Sequence, residues 1–490
     1  MTMTTSTLPP CPKHLRERRG RHFVVVGGGR TGAASARLLV REGARVTVVD
    51  DGQADAVLAG LQKHGLDTGS VTVVGGGIDA AVVASADVIV LSPGVPRAHA
   101  AIAPVVDRIP IVNELEVGLA VLTRDGADLA GVRIQGITGT NGKSTTTTMA
   151  GAIATAQDPR AFVGGNLGLP LCAAVVDGLS VGTAAAPRPL VVELSSYQLE
   201  TLTWFPIHAG TITNLTPDHL DRYPDVDAYY AAKARLFGLV TGGISLNAAD
   251  PQSRASLWPS LPAGRATCHF DVSGDTSGIE ISTKGEALVL TVRHDAPART
   301  ITVENPFIVG HHNRQNAAAA VALAVLCGVD DATILAGLRA YGGIAHRLER
   351  VGVHRGVTWW NDSKATNVDA SVIALRSFER GVHLILGGTG KGAPYAPLVE
   401  AARGRVARVY LIGQDAPTIR AAFAGEPGVT LVESGTLTQA CADADAVAVA
   451  GEHIVLSPAC ASFDQFRDYT HRGAVFRDCF KAATSSGAST

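Results

Sequence analysis

The stretch Gly136-Ile137-Thr138-Gly139-Thr140-Asn141-Gly142-Lys143-Ser144 follows an apolar run at 132–134 and leads into a segment, 145–149, that reads as a helix start. A glycine loop between strand and helix turns backbone N–H groups, and the positive end of the helix, onto one anion. In that setting Lys143 would reach the outer phosphates of a nucleotide and the Ser144 hydroxyl would sit on Mg²⁺. Strict P-loop spacing is not met: Gly139 stands three residues before Gly142 and Ile137 occupies the strict position. The candidate is a shortened phosphate loop made of Gly139, Thr140, Asn141, Gly142, Lys143, Ser144 and Thr145. A glycine-rich turn with a solvated lysine is the bland alternative, and the joint occurrence of loop, lysine and hydroxyl argues against it.

A second anion-binding pattern stands nearer the N-terminus. An apolar run at 23–26 leads into Gly27-Gly28-Gly29-Arg30-Thr31-Gly32, then a helical segment, then a second strand pattern ending in Asp50-Asp51. This is the dinucleotide fingerprint with its acidic residue. By itself it favours an NAD-dependent oxidoreductase. It requires only a diphosphate or nucleotide on a helix N-terminus, and glycines that merely let helix and strand pack closely would look the same. A third strand pattern at 88–91 ends in Ser92-Pro93-Gly94.

The elements that must position these loops follow one rule along the whole chain: nearly every polar cluster comes directly after a short apolar run. Further cases are Glu193-Leu194-Ser195-Ser196, Asn214-Leu215-Thr216-Pro217-Asp218-His219, Asn361-Asp362-Ser363-Lys364, Gly387-Gly388-Thr389-Gly390-Lys391 and Ser457-Pro458-Ala459-Cys460-Ala461-Ser462-Phe463. Open α/β sheets bind ligands beyond the carboxyl ends of their strands. The predicted fold class is α/β, with three domains, each a mostly parallel Rossmann-like or P-loop-like sheet with flanking helices. The expected boundaries are 1–122, 123–343 and 344–490. Asp225 and Asp227 are expected to cap a helix carrying Lys233. A β-rich insertion is expected around 279–292, and His311-His312-Asn313-Arg314-Gln315-Asn316 should lead an alanine-rich helix at 317–326.

Bulk properties narrow the function classes. The chain has 490 residues, 46% hydrophobic content and a net charge of −2, enough for several cores and too near neutrality to favour nucleic acid or an anionic membrane as partner. The basic run 13–21 reads as a solvated tail. No apolar run reaches spanning length and no signal peptide opens the chain, so a cytoplasmic protein is expected. Seven scattered cysteines form no CxxC pair, which predicts reduced thiols and no cysteine-rich zinc site.

The sequence resembles the Mur ligase family along nearly its whole length. The resemblance rests on residues 139–145, 193–200, 214–224, His346-Arg347, 362–367 and 456–466. The stretch 361–368 together with Leu456-Ser457-Pro458-Ala459-Cys460-Ala461-Ser462 points to the D-glutamate-adding branch. The resemblance implies a uridine-nucleotide domain, an ATPase domain and a C-terminal Rossmann-like domain. It implies ATP-driven addition of D-glutamate to UDP-N-acetylmuramoyl-L-alanine through an acyl phosphate, in peptidoglycan precursor synthesis, with two Mg²⁺ ions and a lysine carbamylated by CO₂. No membrane insertion is expected, and a monomer is.

By the same resemblance, the catalytic residues are Lys143, His219 and Lys233, and the metal ligands are Ser144, Glu193, His219 and the carbamate of Lys233. Asn313 and Asn316 would face adenine, and Arg347, Asp362 and Lys364 would lie near the ribose and phosphates. Arg30, Thr31, Gly32, Asp50, Asp51, Ser92, Pro93, Gly94, Asn166 and Ser195 are assigned to the uridine substrate, Asn166 at its sugar–peptide end. Thr366 and Lys391 would hold the α-carboxylate of D-glutamate, and Ser462, Phe463 and Tyr469 its side-chain carboxylate, partly through backbone N–H groups. Thr389 stands where some relatives carry aspartate and is left out of the site.

Residue chemistry alone leaves several of these open. Glu193 after an apolar strand is either a hard-cation ligand or a salt-bridged structural carboxylate. A lone loop histidine such as His219 is usually structural, a helical lysine such as Lys233 is usually solvated, and Asn313 could cap its helix. The rival classes are an NAD-dependent oxidoreductase, a sister ligase with another amino acid or a folylpolyglutamate synthase, and a non-catalytic nucleotide-binding module, against which Lys143, Glu193, His219 and Lys233 argue.

Overall fold

The computed structural model describes residues 9–219, 222–274, 276–294 and 297–486. It contains three α/β domains, as the alternation of apolar runs and helical segments predicts.

The first sheet has five parallel strands in the order Thr72–Val74, Arg45–Val49, His22–Val26, Val88–Leu91, Ile111–Val112. The central strand is fully buried along its length, as a strand covered on both faces must be. It feeds the glycine turn and the helix Arg30–Arg41. The second sheet has six parallel strands, ordered Ala266–Thr267, Val240–Leu246, Ile207–Ile212, Val132–Thr138, Arg188–Glu193, Phe162–Gly165. Its middle strand, Val132–Thr138, ends at the phosphate loop, and the helix Lys143–Gln157 follows. The expected insertion is a four-stranded sheet in which Gly278–Lys284, Ala287–Arg293 and Arg299–Val303 run antiparallel. The last sheet has six strands, ordered Glu349–His354, Val357–Asn361, His453–Leu456, Val382–Gly387, Val406–Ile412, Thr430–Gly435, with only the first pair antiparallel.

By contact density the chain forms two compact units, Met1–Glu304 with Gln315–Tyr341, and Asn305–Arg314 with Gly342–Thr490. The first unit holds the first two α/β domains, and one hydrophobic cluster runs through both, from Leu15 and Phe23 to Ile244 and Leu257. The second unit has its own clusters on the faces of its sheet.

Two local expectations change. The basic run 13–21 is not a solvated tail. Leu15 is buried, and the buried Arg18 guanidinium pairs with Asp125 at 2.5 Å and Glu42 at 3.4 Å. A short helix, Lys13–Arg16, is anchored there because its one apolar side chain reaches the core. The motif 311–316 does not precede its helix. The helix begins at His311 and runs to Leu326. All seven cysteines are free thiols. No helix among the described residues is long and apolar enough to cross a membrane.

Candidate active site

The candidate phosphate loop is built by two strand ends acting together. After Thr138 the chain turns through Gly139 at φ 140° and Gly142 at φ 82°, conformations that only glycine adopts cheaply. Side-chain space is missing at both positions: a Cβ on Gly139 would lie 2.0 Å from Thr213 Oγ1, and one on Gly142 would lie 2.3 Å from Asn316 Oδ1. Residues 213–216, beyond the neighbouring strand Ile207–Ile212, hold the loop from the side. Thr140 N donates to Asn214 O at 3.0 Å and Asn141 N to Asn214 Oδ1 at 2.9 Å. Thr213 Oγ1 donates to Asn141 O at 2.6 Å, and Thr216 N to Thr140 Oγ1 at 3.1 Å. The shortened loop is thus braced by a second turn, residues 213–216, rather than by extra loop residues. Ser144 and Thr145 are buried in the first turn of the helix Lys143–Gln157.

Two lysines meet at this loop. Lys143 Nζ donates to Gly139 O at 3.0 Å and to Thr140 O at 2.8 Å, and Lys233 Nζ donates to Gly139 O at 2.8 Å. Lys233 lies on the helix Val226–Ala234, capped as expected by the Asp225 side chain on Ala228 N, a contribution of about 1 kcal/mol. The sequence suggests a solvated lysine here, yet Lys233 is 1% exposed. Burial pulls its pKa down to about 6, the Lys143 charge adds to that, and Asp218 opposes it. At neutral pH the Lys233 amine is therefore uncharged. Its Nζ lies 4.3 Å from the centre of the Tyr229 ring, and the Tyr229 hydroxyl reaches Thr140 Oγ1 at 3.4 Å.

Glu193 ends the strand Arg188–Glu193 and is 2% exposed. Its Oε1 accepts from Asn166 Nδ2 at 2.7 Å, and its Oε2 is buried without a hydrogen-bond partner. No salt bridge satisfies that oxygen among the described residues, so the cation-ligand reading gains over the structural one: a hard cation that takes carboxylate oxygens fits the vacancy in its bonding. Asn166 is thereby engaged with Glu193.

His219 adopts φ 55° and is half-exposed. Its Nδ1 lies 2.9 Å from the Tyr197 hydroxyl and its Nε2 3.7 Å from Asp218 Oδ2. Its ring stands edge-on to Tyr197 at 5.2 Å and to Tyr229 at 5.7 Å. Tyr229 thus borders both His219 and Lys233. Sequence reasoning missed Tyr197, Tyr229 and Arg222; the recurrence of tyrosine at 223, 229 and 230 beside the His219 loop was the available signal. Arg222 stacks on Tyr197 at 3.7 Å and donates to Pro93 O at 3.1 Å, which ties the Ser92-Pro93-Gly94 turn of the first domain to the second.

In the first domain the fingerprint glycines are sterically required, since a Cβ on Gly32 would lie 1.9 Å from Gly27 O. Arg30 and Thr31 open the helix Arg30–Arg41 beside them. Asp50 grips the turn itself, accepting from Gly28 N at 2.6 Å and Gly52 N at 2.8 Å, while Asp51 accepts from Ile78 N at 3.2 Å. Ser92 Oγ donates to Gly27 O at 3.1 Å, and Gly94 follows in the turn closed by Val95 N on Ser92 O at 3.0 Å. Ser195 is a helix N-cap in a capping box with Gln198.

Asn316 is buried beneath Gly142, and its Oδ1 accepts from Thr146 Oγ1 at 3.2 Å. Asn313, the third residue of its helix, is not a cap; its amide donates to Val309 O at 2.9 Å.

In the C-terminal unit, Asp362 is buried and accepts from Leu348 N at 3.0 Å and Ser457 Oγ at 2.8 Å; burial pushes its pKa up to about 7 against those bonds. Arg347 N closes a turn on Ile344 O at 3.1 Å, and its charge draws the Asp362 carboxyl down. Lys364 Nζ lies 5.9 Å from the Tyr469 ring centre. Lys391 Nζ reaches Thr366 Oγ1 at 3.5 Å, so these two predicted partners do meet. Ser462 is buried, with its carbonyl accepting from Phe466 N at 2.9 Å, and the adjoining Phe463 is 74% exposed. Thr389 pairs backbone to backbone with Ala461 at 2.9 and 3.0 Å, which joins the two loops regardless of the Thr389 side chain. Tyr469 begins the helix Tyr469–Ser486, and Arg472, fully buried, donates to Ser363 Oγ, Ser363 O and Cys460 O at 3.0, 2.8 and 3.1 Å.

Comparison with known proteins agrees with this arrangement. Residues 21–112 match the Mur ligase MurD-like N-terminal domain, 137–324 the Mur ligase middle domain and 346–460 the Mur ligase glutamate ligase domain. The chain is 44% identical over 474 residues to the UDP-N-acetylmuramoylalanine–D-glutamate ligase of Anaeromyxobacter dehalogenans, covering 94% of this chain and 97% of the relative. It is 43% identical over 469 residues to the enzyme of that name from Myxococcus xanthus, covering 94% and 98%. In fold it resembles MurF of Acinetobacter baumannii, with TM-score 0.58, 16% identity and coverage of 97% and 99%. It also resembles the UDP-N-acetylmuramate–alanine ligase MurC of Thermotoga maritima, with TM-score 0.55, 19% identity and coverage of 94% and 100%. With all three domain types matched and relatives aligned along almost their full length, the chain belongs to the Mur ligase family of ATP-dependent, ADP-forming ligases of peptidoglycan precursor synthesis.

Proposed function

We propose that this ligase joins D-glutamate to the alanine carboxylate of UDP-N-acetylmuramoyl-L-alanine. The observation that carries the reading is the convergence of Lys143 and the uncharged Lys233 on Gly139 O beside the braced loop, in a chain 44% identical to a D-glutamate ligase.

The alanine carboxylate attacks the γ-phosphorus of ATP, the bond to the β-phosphate oxygen breaks, and an acyl phosphate and ADP form. Both reactants are anions, so their repulsion must be offset. Lys143 swings from the loop carbonyls to the outer phosphates, and the loop N–H groups hold the β-phosphate. The D-glutamate amine then attacks the acyl carbon, phosphate leaves, and a proton is released from nitrogen. Thr366 with Lys391, and the Ser462–Phe463 turn with Tyr469, serve as the two carboxylate holders.

Ser144 and Glu193 are the proposed holders of one Mg²⁺, and His219 with a carbamylated Lys233 of a second. The metal supplies charge neutralisation and alignment of the phosphates. The neutral Lys233 amine has the form that adds to CO₂, releasing a proton and leaving an oxygen-bearing anion. Asn313, Asn316, Arg347, Asp362 and Lys364 are the further proposed ATP residues. Arg30, Thr31, Gly32, Asp51 and the Ser92-Pro93-Gly94 turn are proposed for the uridine substrate; Asp50, Ser195 and Asn166 serve it indirectly, by shaping the turn, the helix start and the Glu193 carboxylate. A monomer working in the cytoplasm, where activated sugar nucleotides are made, completes the reading. The test is a screen of amino acids for phosphate release with ATP and UDP-N-acetylmuramoyl-L-alanine present. D-Glutamate should be the acceptor; release with another amino acid alone would assign the chain to a different member of the family.

A further inference from the structure

We propose that the turn Gly413-Gln414-Asp415, locked by the Tyr395 hydroxyl, is a spacer that fixes the separation of the two carboxylate holders and so sets the length of amino acid the ligase accepts. The inference rests on the proposed acceptor with its two carboxylates. Tyr395, Asp415 and Asp464 are positioning residues, acting through Lys391 and the Ser462–Phe463 turn.

The strands His453–Leu456, Val382–Gly387 and Val406–Ile412 lie side by side in that order. Lys391 follows the middle strand, the Ser462–Phe463 turn follows the first, and residues 413–415 follow the third. From its side of the sheet the 413–415 turn reaches both holders. Asp415 N donates to Gly388 O at 2.9 Å, in the glycine turn that carries Lys391. Gln414 N donates to Asp464 Oδ2 at 2.9 Å, one residue beyond Phe463. The crossing leaves no room for side chains. A Cβ on Gly413 would lie 2.3 Å from Asp464 Oδ2 and 2.8 Å from Gly388 Cα, and one on Gly390 would lie 2.2 Å from Asp415 Oδ2. Gly413 also sits at φ 70°, which glycine adopts without strain.

Tyr395 closes the arrangement. It is buried at the start of the helix Ala396–Ala402; its hydroxyl donates to Asp415 Oδ2 and lies 3.1 Å from Cys460 Sγ, two residues before Ser462. One hydroxyl therefore bonds both the spacer and the chain leading to the second holder. Thr418 Oγ1 donates to the other Asp415 oxygen at 3.2 Å, so both carboxylate oxygens are held. Burial and the Asp415 carboxylate keep the Tyr395 phenol well above its ordinary pKa, so it stays a donor. The glycines at 387, 388 and 390 give the Lys391 turn little stiffness of its own. Its position relative to Ser462 is set by these bonds and by the Thr389–Ala461 backbone pair. A dicarboxylic amino acid one methylene shorter cannot bridge holders kept at a fixed distance. Holders free to approach each other can take it.

The experiment measures kcat and KM for D-glutamate, D-aspartate and ATP in the full-length enzyme and in Tyr395→Phe, Asp415→Ala and Asp464→Ala. Tyr395→Phe keeps the buried ring and loses only the hydroxyl, so it tests the spacer even where an alanine variant fails to fold. In Tyr395→Phe the KM for D-glutamate should rise several-fold, and the preference in kcat/KM for D-glutamate over D-aspartate should fall several-fold. The KM for ATP should stay unchanged. An unaltered preference, or an equal rise in the KM values for D-glutamate and ATP, overturns the spacer alone. Wild type that turns over another amino acid and ignores D-glutamate overturns the proposed acceptor, and the spacer with it.

Discussion

Lys143 Nζ and Lys233 Nζ donate to the same oxygen, Gly139 O, at 3.0 and 2.8 Å. Two ammonium groups cannot share one acceptor cheaply in a buried place, and here the conflict is relieved by one of them being neutral. The buried partner, Lys233, gives up its proton, with a pKa drawn down to about 6, and Lys143 stays available for phosphate.

Lys143→Ala should remove the mobile cation from phosphoryl transfer. A loss of about 10²–10³ in kcat is expected, by comparison with removal of one positioned electrostatic stabiliser. The fold and the uridine substrate's binding should persist, since the Lys143 ammonium bonds the loop carbonyls Gly139 O and Thr140 O rather than a residue of the first domain's glycine turn. Turnover and calorimetric binding check both; near-normal turnover would refute the phosphate-loop assignment.

For Lys233 the sign of the pH effect follows from its depressed pKa. The unfolded chain holds this proton up to the ordinary 10.5, while the folded chain releases it near about 6. Between those values the unfolded state binds more protons, so this group makes folding stability rise with pH. Lys233→Met should flatten that part of the stability–pH curve, measured by urea unfolding at a series of pH values. Activity should depend on dissolved CO₂ and fall as pH drops through about 6, because the protonated amine cannot add CO₂. Lys233→Arg should be inactive. Full activity in CO₂-depleted buffer, or in enzyme whose mass shows only free lysine, would eliminate the carbamate.

Glu193 Oε2 is a buried oxygen without a partner, and Asn166 orients the carboxylate through Oε1. Asn166→Ala should raise the Mg²⁺ concentration needed for half-maximal activity by about 10–100-fold, as loss of a supporting hydrogen bond to a metal ligand does. Glu193→Gln should do so more severely. A Mg²⁺ titration indistinguishable from wild type in both variants would return Glu193 to a purely structural role.

D-Glutamate carries two carboxylates, so its site needs two anion holders at a fixed separation. An acceptor lacking one leaves donors unpaired, which costs far more than a missing methylene at about 1–3 kcal/mol. D-Alanine should be a very poor acceptor. Ser462→Ala should raise the KM for D-glutamate much more than the KM for ATP. An equal rise in both would assign Ser462 to general closure of the site.

What the sequence determined by itself is local. Strand, turn and helix at 132–149 are written in an apolar run, glycines and a helix start, and the cluster at each strand's carboxyl end follows from the α/β pattern. Gly32, which packs on Gly27 O, and the Asp225 cap on Ala228 N are legible for the same reason: neighbouring residues decide them. Only tertiary structure decided that Lys233 is buried against Tyr229, that Asn166 orients Glu193, that Asp50 holds the glycine turn and that Arg18 is packed instead of solvated. Desolvation and pairing depend on what lies across space, and partners such as Glu193 and Asn166, or Arg18 and Asp125, are separated by 27 and 107 residues. No window of sequence contains both members of such a pair, so their chemistry emerges only when the strands set them side by side.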